Sequence, residues 1–158
     1  MDTLRVTVTN VRALHPEIRE FTLAPAAGQT LPPFEAGAHV RVRVSDQDWR
    51  EYSLIDVVDG ASAAPATYRI AVRLDPAGRG GSAFMHEQVQ AGGTLEIQPP
   101  RNDFALHAHE GVAVLVAGGI GITPLASMAA RLRAQLRPVR MHYAVRSRDL
   151  AAFGVELE

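Results

Sequence analysis

Hydrophobic and polar residues alternate along much of the first hundred positions. In His39-Val40-Arg41-Val42-Arg43-Val44 the valines fall on one side and the polar residues on the other, the pattern of a strand with one face buried. Thr67 to Leu74 repeats it, with Tyr68, Ile70, Val72 and Leu74 on one face. Leu4 to Val11, Ile18 to Leu23, Arg50 to Ile55 and Thr94 to Gln98 carry the same signal. Proline- and glycine-rich breaks separate them at Pro25 to Pro33, Asp59 to Pro65, Asp75 to Gly81, Gly92-Gly93 and Pro99-Pro100. Strands at this spacing predict a six-stranded antiparallel barrel of Greek-key type. One short helix is expected within it, from Ser82 to about Gln90, with Ser82 as its cap.

Beyond residue 107 the texture changes. Val112 to Ala117 is continuously apolar, which suits a parallel strand covered on both faces. A glycine-rich turn follows, then a helix from Pro124 to about Leu136 whose Leu125, Met128, Ala129, Leu132 and Leu136 form one apolar stripe. Val139 to Ala144 reads as another strand, and Asp149 as the cap of a second helix. This is the β-α-β opening of a doubly wound domain. The chain therefore divides into a barrel, residues 1–106, and the first, incomplete part of a nucleotide-binding α/β domain, residues 107–158. Such a fragment is expected to leave its sheet edge and helix stripe uncovered. That predicts a homodimer or swapped dimer through residues 112–153.

Composition narrows the function classes. The chain has 158 residues, 47% of them hydrophobic and 21% charged, and a formal net charge of −1. No basic field argues for nucleic acid or an anionic membrane surface. No apolar run approaches the roughly 20 residues that span a bilayer. The N-terminus lacks the charged head and apolar stretch of a secretion signal, so a cytoplasmic location is expected. There is no cysteine. Disulfides, thiolate nucleophiles, cysteine zinc sites and a cysteine-ligated iron–sulfur cluster in this chain are thereby excluded. His107-x-His109 has no third ligand in view, and no metal site is expected. His86 is expected on a helix surface, Trp49 in barrel packing, and Arg131, Arg133 and Arg137 on a solvated helix face.

Two glycine turns and one strand carry the candidate chemistry. Gly118-Gly119-Ile120-Gly121-Ile122-Thr123-Pro124 sits between the apolar strand and the helix. Thr123 is placed as N-cap and Pro124 as first helical residue, so the helix would aim free N–H groups and its positive dipole end at the turn. Pro124 stands where the usual dinucleotide fingerprint has its third glycine, and an unliganded tight turn is an equal reading of this motif. Arg50-Glu51-Tyr52-Ser53-Leu54 lies on a predicted strand, with Arg50, Tyr52 and Leu54 on one face. A guanidinium forks onto phosphate, and a tyrosine beside it offers a ring to stack and a hydroxyl. Gly78-Arg79-Gly80-Gly81-Ser82 supplies a second phosphate-competent turn. Taken singly, a charged strand face and a plain loop are the simpler readings.

Arg50-x-Tyr52-Ser53, Gly80-Gly81-Ser82 with His86-Glu87, Pro100-Arg101-Asn102-x-Phe104 and the turn ending in Thr123-Pro124 occur together in this order. In that, the chain resembles the phthalate dioxygenase reductase and vanillate demethylase reductase group of the ferredoxin–NADP reductase superfamily. The resemblance implies a flavoprotein oxidoreductase module in which Arg50 holds the flavin phosphate and Tyr52 lies against the ring and ribityl chain. Ser53 would sit near flavin N5, so Tyr52 and Ser53 are its candidate catalytic residues. It further implies Leu54, Ile70, Ala71 and Val72 around the flavin, the last three through their backbone, and Gly80, Gly81 and Ser82 at its phosphate. Gly118, Gly119, Gly121, Thr123 and Pro124 would bring NAD(P)H to the flavin, with Arg146 near the adenosine ribose. FMN is the expected flavin, while FAD serves much of the wider superfamily. NADH and NADPH both stay open, because arginines near 146 could accept a 2′-phosphate. The implied reaction passes hydride from nicotinamide to flavin, then single electrons to a ferredoxin-type domain or an oxygenase component. A non-catalytic flavin-binding or assembly module and a free flavin reductase are the competing readings.

Overall fold

The computed structural model describes residues 3–55, 65–107 and 110–154. His109 and most of the 59–65 break lie outside the described residues. Six strands build the first unit: β1 (Leu4–His15), β2 (Ile18–Pro25), β3 (His39–Arg43), β4 (Trp49–Ser53), β5 (Tyr68–Arg73) and β6 (Thr94–Ile97). They pair antiparallel in the order β4-β3-β6-β1-β2-β5, so β6 inserts between β3 and β1 as a Greek key requires. The alternating positions close on one another. Val6, Val8, Phe21, Leu23, Val40, Val42, Ile70, Val72 and Ile97 are all buried in one cluster. Each such side chain contributes roughly 1.5–3 kcal/mol relative to exposure.

β1 runs past its expected end at Val11. Its register against β2 shifts between Val8 and Asn10 and again between Ala13 and His15. Such irregularities bend a strand and let it follow the barrel wall. The sheet's two outer strands, β4 and β5, face each other, and Ile55 N–H donates to Arg69 O across the gap at 2.8 Å. Helix α1 (Gly81–Glu87) follows β5 and packs against the barrel through Met85. Its cap is Gly80 in the left-handed region at φ 86, not Ser82. Ser82 Oγ instead accepts a bond from Asp75 N–H at 3.0 Å, which closes the preceding turn. His86 is buried rather than on the surface, and its Nε2 lies 2.9 Å from Val72 O.

The second unit has strands β7 (Ala113–Gly118) and β8 (Val139–Ala144), paired parallel, and helix α2 (Ile122–Ala134). A single 3-10 turn, Gly119–Gly121, leads into α2, so the helix begins before Pro124. Thr123 does not cap it: the Thr123 hydroxyl donates to Ile120 O at 3.1 Å, and no side chain caps the helix. At the other end Leu136 falls beyond α2 with φ 55 and is 93% exposed, so it leaves the stripe. Asp149 caps nothing either. It lies within a 3-10 turn, Arg148–Leu150, and its carboxylate meets His15 Nε2 at 3.1 Å.

Two further expectations are corrected here. The α2 stripe is covered: Ile122, Leu125, Met128, Ala129 and Leu132 pack with Ala113, Leu115 and Ala117 of β7 and with Ile18, Ile55 and Ala71 of the barrel. β7 is covered on one face only, since Val112, Val114 and Val116 are 48%, 58% and 71% exposed. The reason is architectural. Two strands with one packed helix shield one side of a sheet, and among the described residues nothing lies on the other. No helix of the described residues is long and apolar enough to cross a membrane.

Candidate functional site

Where β4 and β5 face each other, a cavity of about 640 Å³ opens between them. Arg50, Tyr52 and Ser53 line one wall and Ala71, Val72 and Arg73 the other. The Arg79-to-Ser82 turn closes one end, and Ile120, Gly121, Thr123 and Pro124 of the second unit form part of the rim. The register explains why β4 can serve. Arg50 pairs with Val42 and Tyr52 with Val40, so both point to the core side of an edge strand with no further strand to cover them.

Arg50 is held in one posture. Its Nη1 donates to the Asp48 carboxylate and to Trp49 O, the latter at 2.9 Å. The arginine's bond holds the Asp48 carboxyl below its usual range. Nη2 of the same guanidinium is buried and has no hydrogen-bond partner. Gly81 is packed against the stem of this side chain: a Cβ there would lie 2.7 Å from Arg50 Cγ and 2.8 Å from Nε. The two phosphate-competent motifs of the sequence thus form one site. A buried, unpaired N–H of a cation costs free energy until an acceptor meets it, and an anion is the acceptor it suits.

Tyr52 is half-buried, and burial pushes its phenol up to about 12 despite the nearby Arg50. It stays neutral near pH 7 and can donate a hydrogen bond. Arg79 and Arg73 join the cavity although the sequence reading gave them no role. Arg79 lay within a run read for its glycines, and Arg73 had no local signal because only tertiary packing brings it here. Leu54 and Ile70 do not line the cavity; both side chains are wholly buried in the barrel core. Gly80 is absent from the lining too, since it serves as helix cap.

A second cavity, of about 480 Å³, lies at the carboxyl ends of β7 and β8, where doubly wound sheets bind ligands. Gly118, Gly119 and Ile120 of the turn line it, together with Ala144, Val145 and Arg146 beyond β8 and Ile18, Arg73 and Leu150. Gly118, Gly119 and Arg146 therefore gather here, whereas Gly121, Thr123 and Pro124 face the first cavity. Ile120 and Arg73 border both. Among the described residues no cluster of three or more metal-ligating side chains exists.

No family model matches the chain. It is 41% identical over 158 residues to tetrachlorobenzoquinone reductase of Sphingobium chlorophenolicum, covering 100% of this chain and 48% of that one. It is 41% identical over 153 residues to vanillate O-demethylase oxidoreductase of Acinetobacter baylyi, covering 97% and 47%. Among solved structures, phthalate dioxygenase reductase superposes with a TM-score of 0.89 at 40% identity, over 98% of this chain and 47% of that one. That structure is described as modular, for electron transfer from pyridine nucleotides to [2Fe–2S]. The flavohaem-like FAD/NAD-binding domain of nitric oxide dioxygenase from Vibrio cholerae superposes with a TM-score of 0.84 at 25% identity, over 99% and 68%. The chain spans about half the length of the curated relatives it matches. Over that span it is a homologue of the phthalate dioxygenase reductase and vanillate O-demethylase oxidoreductase group, and it shares the barrel fold of the solved phthalate dioxygenase reductase.

Proposed function

We propose that the chain is the flavin-bearing part of an NAD(P)H-dependent reductase, with FMN in the 640 Å³ cavity and the pyridine nucleotide in the 480 Å³ cavity. The observation that carries this is the Arg50 Nη2, buried without a partner, on an arginine whose stem leaves no room for a side chain at Gly81. A terminal phosphate fits that donor, and the wall from Ser53 to Ala71 leaves room for a planar ring. When bound, the flavin supplies the hydride-accepting and electron-releasing chemistry.

The chain's own residues bind, orient and exclude water. Arg50 and Arg79 neutralise the phosphate, with Gly81 and Ser82 beside it. Tyr52, neutral and half-buried, flanks the ring and offers its hydroxyl. Ser53 and the Ala71–Val72 backbone border the ring edge, and the His86 bond to Val72 O fixes that edge. Gly118 to Gly121, Thr123 and Pro124 direct the nicotinamide toward Ser53, with Arg146 on the adenosine side. Ile120, apolar and shared by both cavities, keeps water from the boundary.

In this reading residues 1–106 are the flavin domain and residues 107–158 the beginning of the nucleotide domain. The electron acceptor is a ferredoxin-type domain or an oxygenase component, as the relatives' names suggest, and the location is cytoplasmic. The exposed Val112, Val114 and Val116 face pairs with a second copy of the chain.

Absorbance spectra test the proposal. The purified chain should retain yellow flavin, released by heat and identified as FMN, and anaerobic NADH or NADPH should bleach it. A colourless protein that takes up no added flavin would sink the reading. Uptake without bleaching would leave a flavin-binding module alone, and flavin turned over without retention would mark a free flavin reductase. Arg50→Glu should abolish retention while the circular dichroism of the barrel is unchanged.

A further inference from the structure

The peptide between Leu54 and Ile55 is where the two cores meet. Leu54 is wholly buried in the barrel cluster, while Ile55 is buried in the cluster built around α2. That one peptide unit is held from both sides. Ile55 N–H donates to Arg69 O across the β4–β5 gap at 2.8 Å, and Leu54 O accepts the buried Ser127 hydroxyl at 2.7 Å. Leu54 N–H, in the peptide before, donates to Ala38 O at 2.8 Å. Ser53, which borders the 640 Å³ cavity, lies one residue upstream, about 3.8 Å along the chain. Ala71, two residues beyond Arg69, borders the same cavity from β5. Ser127 is 2% exposed in the middle of α2 and does not line the cavity itself.

We propose that Ser127 is a positioning residue for the flavin ring: through the Leu54–Ile55 peptide it sets the spacing of the cavity walls at Ser53 and Ala71. This rests on the reading of the 640 Å³ cavity as the flavin site. A carbonyl that accepts a hydrogen bond polarises the N–H of its own peptide. The Ser127 contact therefore strengthens the Ile55 bond to Arg69 that ties the two walls together. Because the donor comes from the second unit, the width of the ring slot depends on where α2 sits. Met128, the next residue, helps to fix that seat: a Cβ on Gly37 would lie 2.9 Å from Met128 Cε, so α2 rests against the loop that presents Ala38 O. Arg50 stands four residues before Leu54, toward the Arg79-to-Ser82 end of the cavity. Ser127 thus acts on the ring and not on the phosphate.

Fluorescence titration of the intact chain with FMN and with riboflavin tests this, together with the visible absorption of the bound flavin at saturation. Ser127→Ala removes the donor, and Ser127→Cys keeps a side chain of similar size with only a weak donor. Both variants should weaken FMN and riboflavin alike, by about threefold, the net worth of one neutral hydrogen bond. Both should also shift the absorption band of the bound flavin and speed hydrogen exchange at Ile55 N–H. A loss for FMN alone would place the effect at the phosphate and overturn the proposal. A Ser127→Cys chain that matches the native one while Ser127→Ala does not would make volume the cause, and overturn it equally. Lower stability in urea, with the band and both affinities unmoved, would mark a purely structural bond and refute the assignment. Should Ser127→Ala not fold, Ser127→Cys decides alone: weaker riboflavin with a shifted band supports the proposal, and unchanged binding refutes it. A native chain that takes up neither flavin sinks the flavin reading and this inference with it, whereas native uptake with both variants unchanged sinks this inference alone.

Discussion

Replacing Gly81 by alanine separates the phosphate grip from every other part of flavin binding. The added Cβ would sit 2.7 Å from Arg50 Cγ and 2.8 Å from Nε. Carbon atoms pack best at about 3.5–4.0 Å, so one side must yield by roughly 1 Å. The contacts fall on the middle of the arginine stem, and Nη1 is anchored at Asp48 and Trp49 O. Arg50 therefore cannot step aside without breaking an anchor or turning Nη2 from the cavity. The expected cost is one charged hydrogen bond to phosphate, about 1.5–3 kcal/mol, or roughly ten- to 150-fold in FMN affinity. Riboflavin, which has the ring but no phosphate, should bind as before. Gly80→Ala is the control: its φ of 86 strains any side chain, but no atom lies within 4 Å. It should lower folding stability by about 1–2 kcal/mol and spare the Arg50 posture. Flavin fluorescence quenching measures both affinities. If Gly81→Ala weakened FMN and riboflavin alike, or left FMN unchanged, the coupling of Gly81 to Arg50 at the phosphate would be wrong.

Three other outcomes follow from the same geometry. His86→Ala removes the partner of the buried Val72 carbonyl, and urea denaturation should show a loss of about 1–3 kcal/mol; an unchanged midpoint would mean the bond carries no net weight. The Tyr52 phenol is raised from 10.0 to about 12, so the folded chain holds that proton more tightly than the unfolded chain. Its share of stability is full below pH 10 and lost as pH rises through 12; Tyr52→Phe should therefore shallow the alkaline decline in thermal midpoint, and an identical decline would contradict the assignment. Val116→Lys places a charge on the most exposed valine of β7. Sedimentation should show a concentration-dependent dimer for the native chain and a monomer for the variant, and a native monomer at all concentrations would remove the dimer.

Much of this was legible in the order of residues, for identifiable reasons. The barrel strands announce themselves because Val40, Val42, Ile70 and Val72 must alternate to reach one core. β8 carries both its expected ends, Val139 and Ala144, because Pro138 and the loop after 144 punctuate it. Helix caps were less legible. Ser82 and Thr123 have the right chemistry for N-caps, but Asp75 N–H and Ile120 O lay within reach and took their hydroxyls. Leu54 illustrates the same limit. Sequence parity puts it on the core-side face of Arg50 and Tyr52, and it keeps that face, but tertiary packing buries it wholly in the barrel core and so removes it from the cavity wall. The cavity arginines were only half legible, since Arg73 meets Gly119 through packing between residues far apart in the chain.

That packing determines how the two cavities are related. α2 lays its apolar stripe on Ile18, Ile55 and Ala71, and its Ser127 hydroxyl donates to Leu54 O at 2.7 Å in a buried setting. Leu54 directly follows Ser53, so the helix is fastened to the backbone just beyond the candidate catalytic residue. At the far edge the His15–Asp149 contact joins β1 to the segment after β8. His15 Nδ1 accepts from Glu17 N–H at 3.1 Å, which leaves Nε2 to carry the proton toward Asp149. Glu17 in turn holds Arg73. A connected run of contacts therefore leads from the second unit's last turn through β1 and Glu17 to the guanidinium between the cavities. The glycine turn is positioned against the barrel by helix packing on one flank and by this polar run on the other. With both flanks fixed, the glycine turn is held beside the β4–β5 cavity by the packing of the described residues.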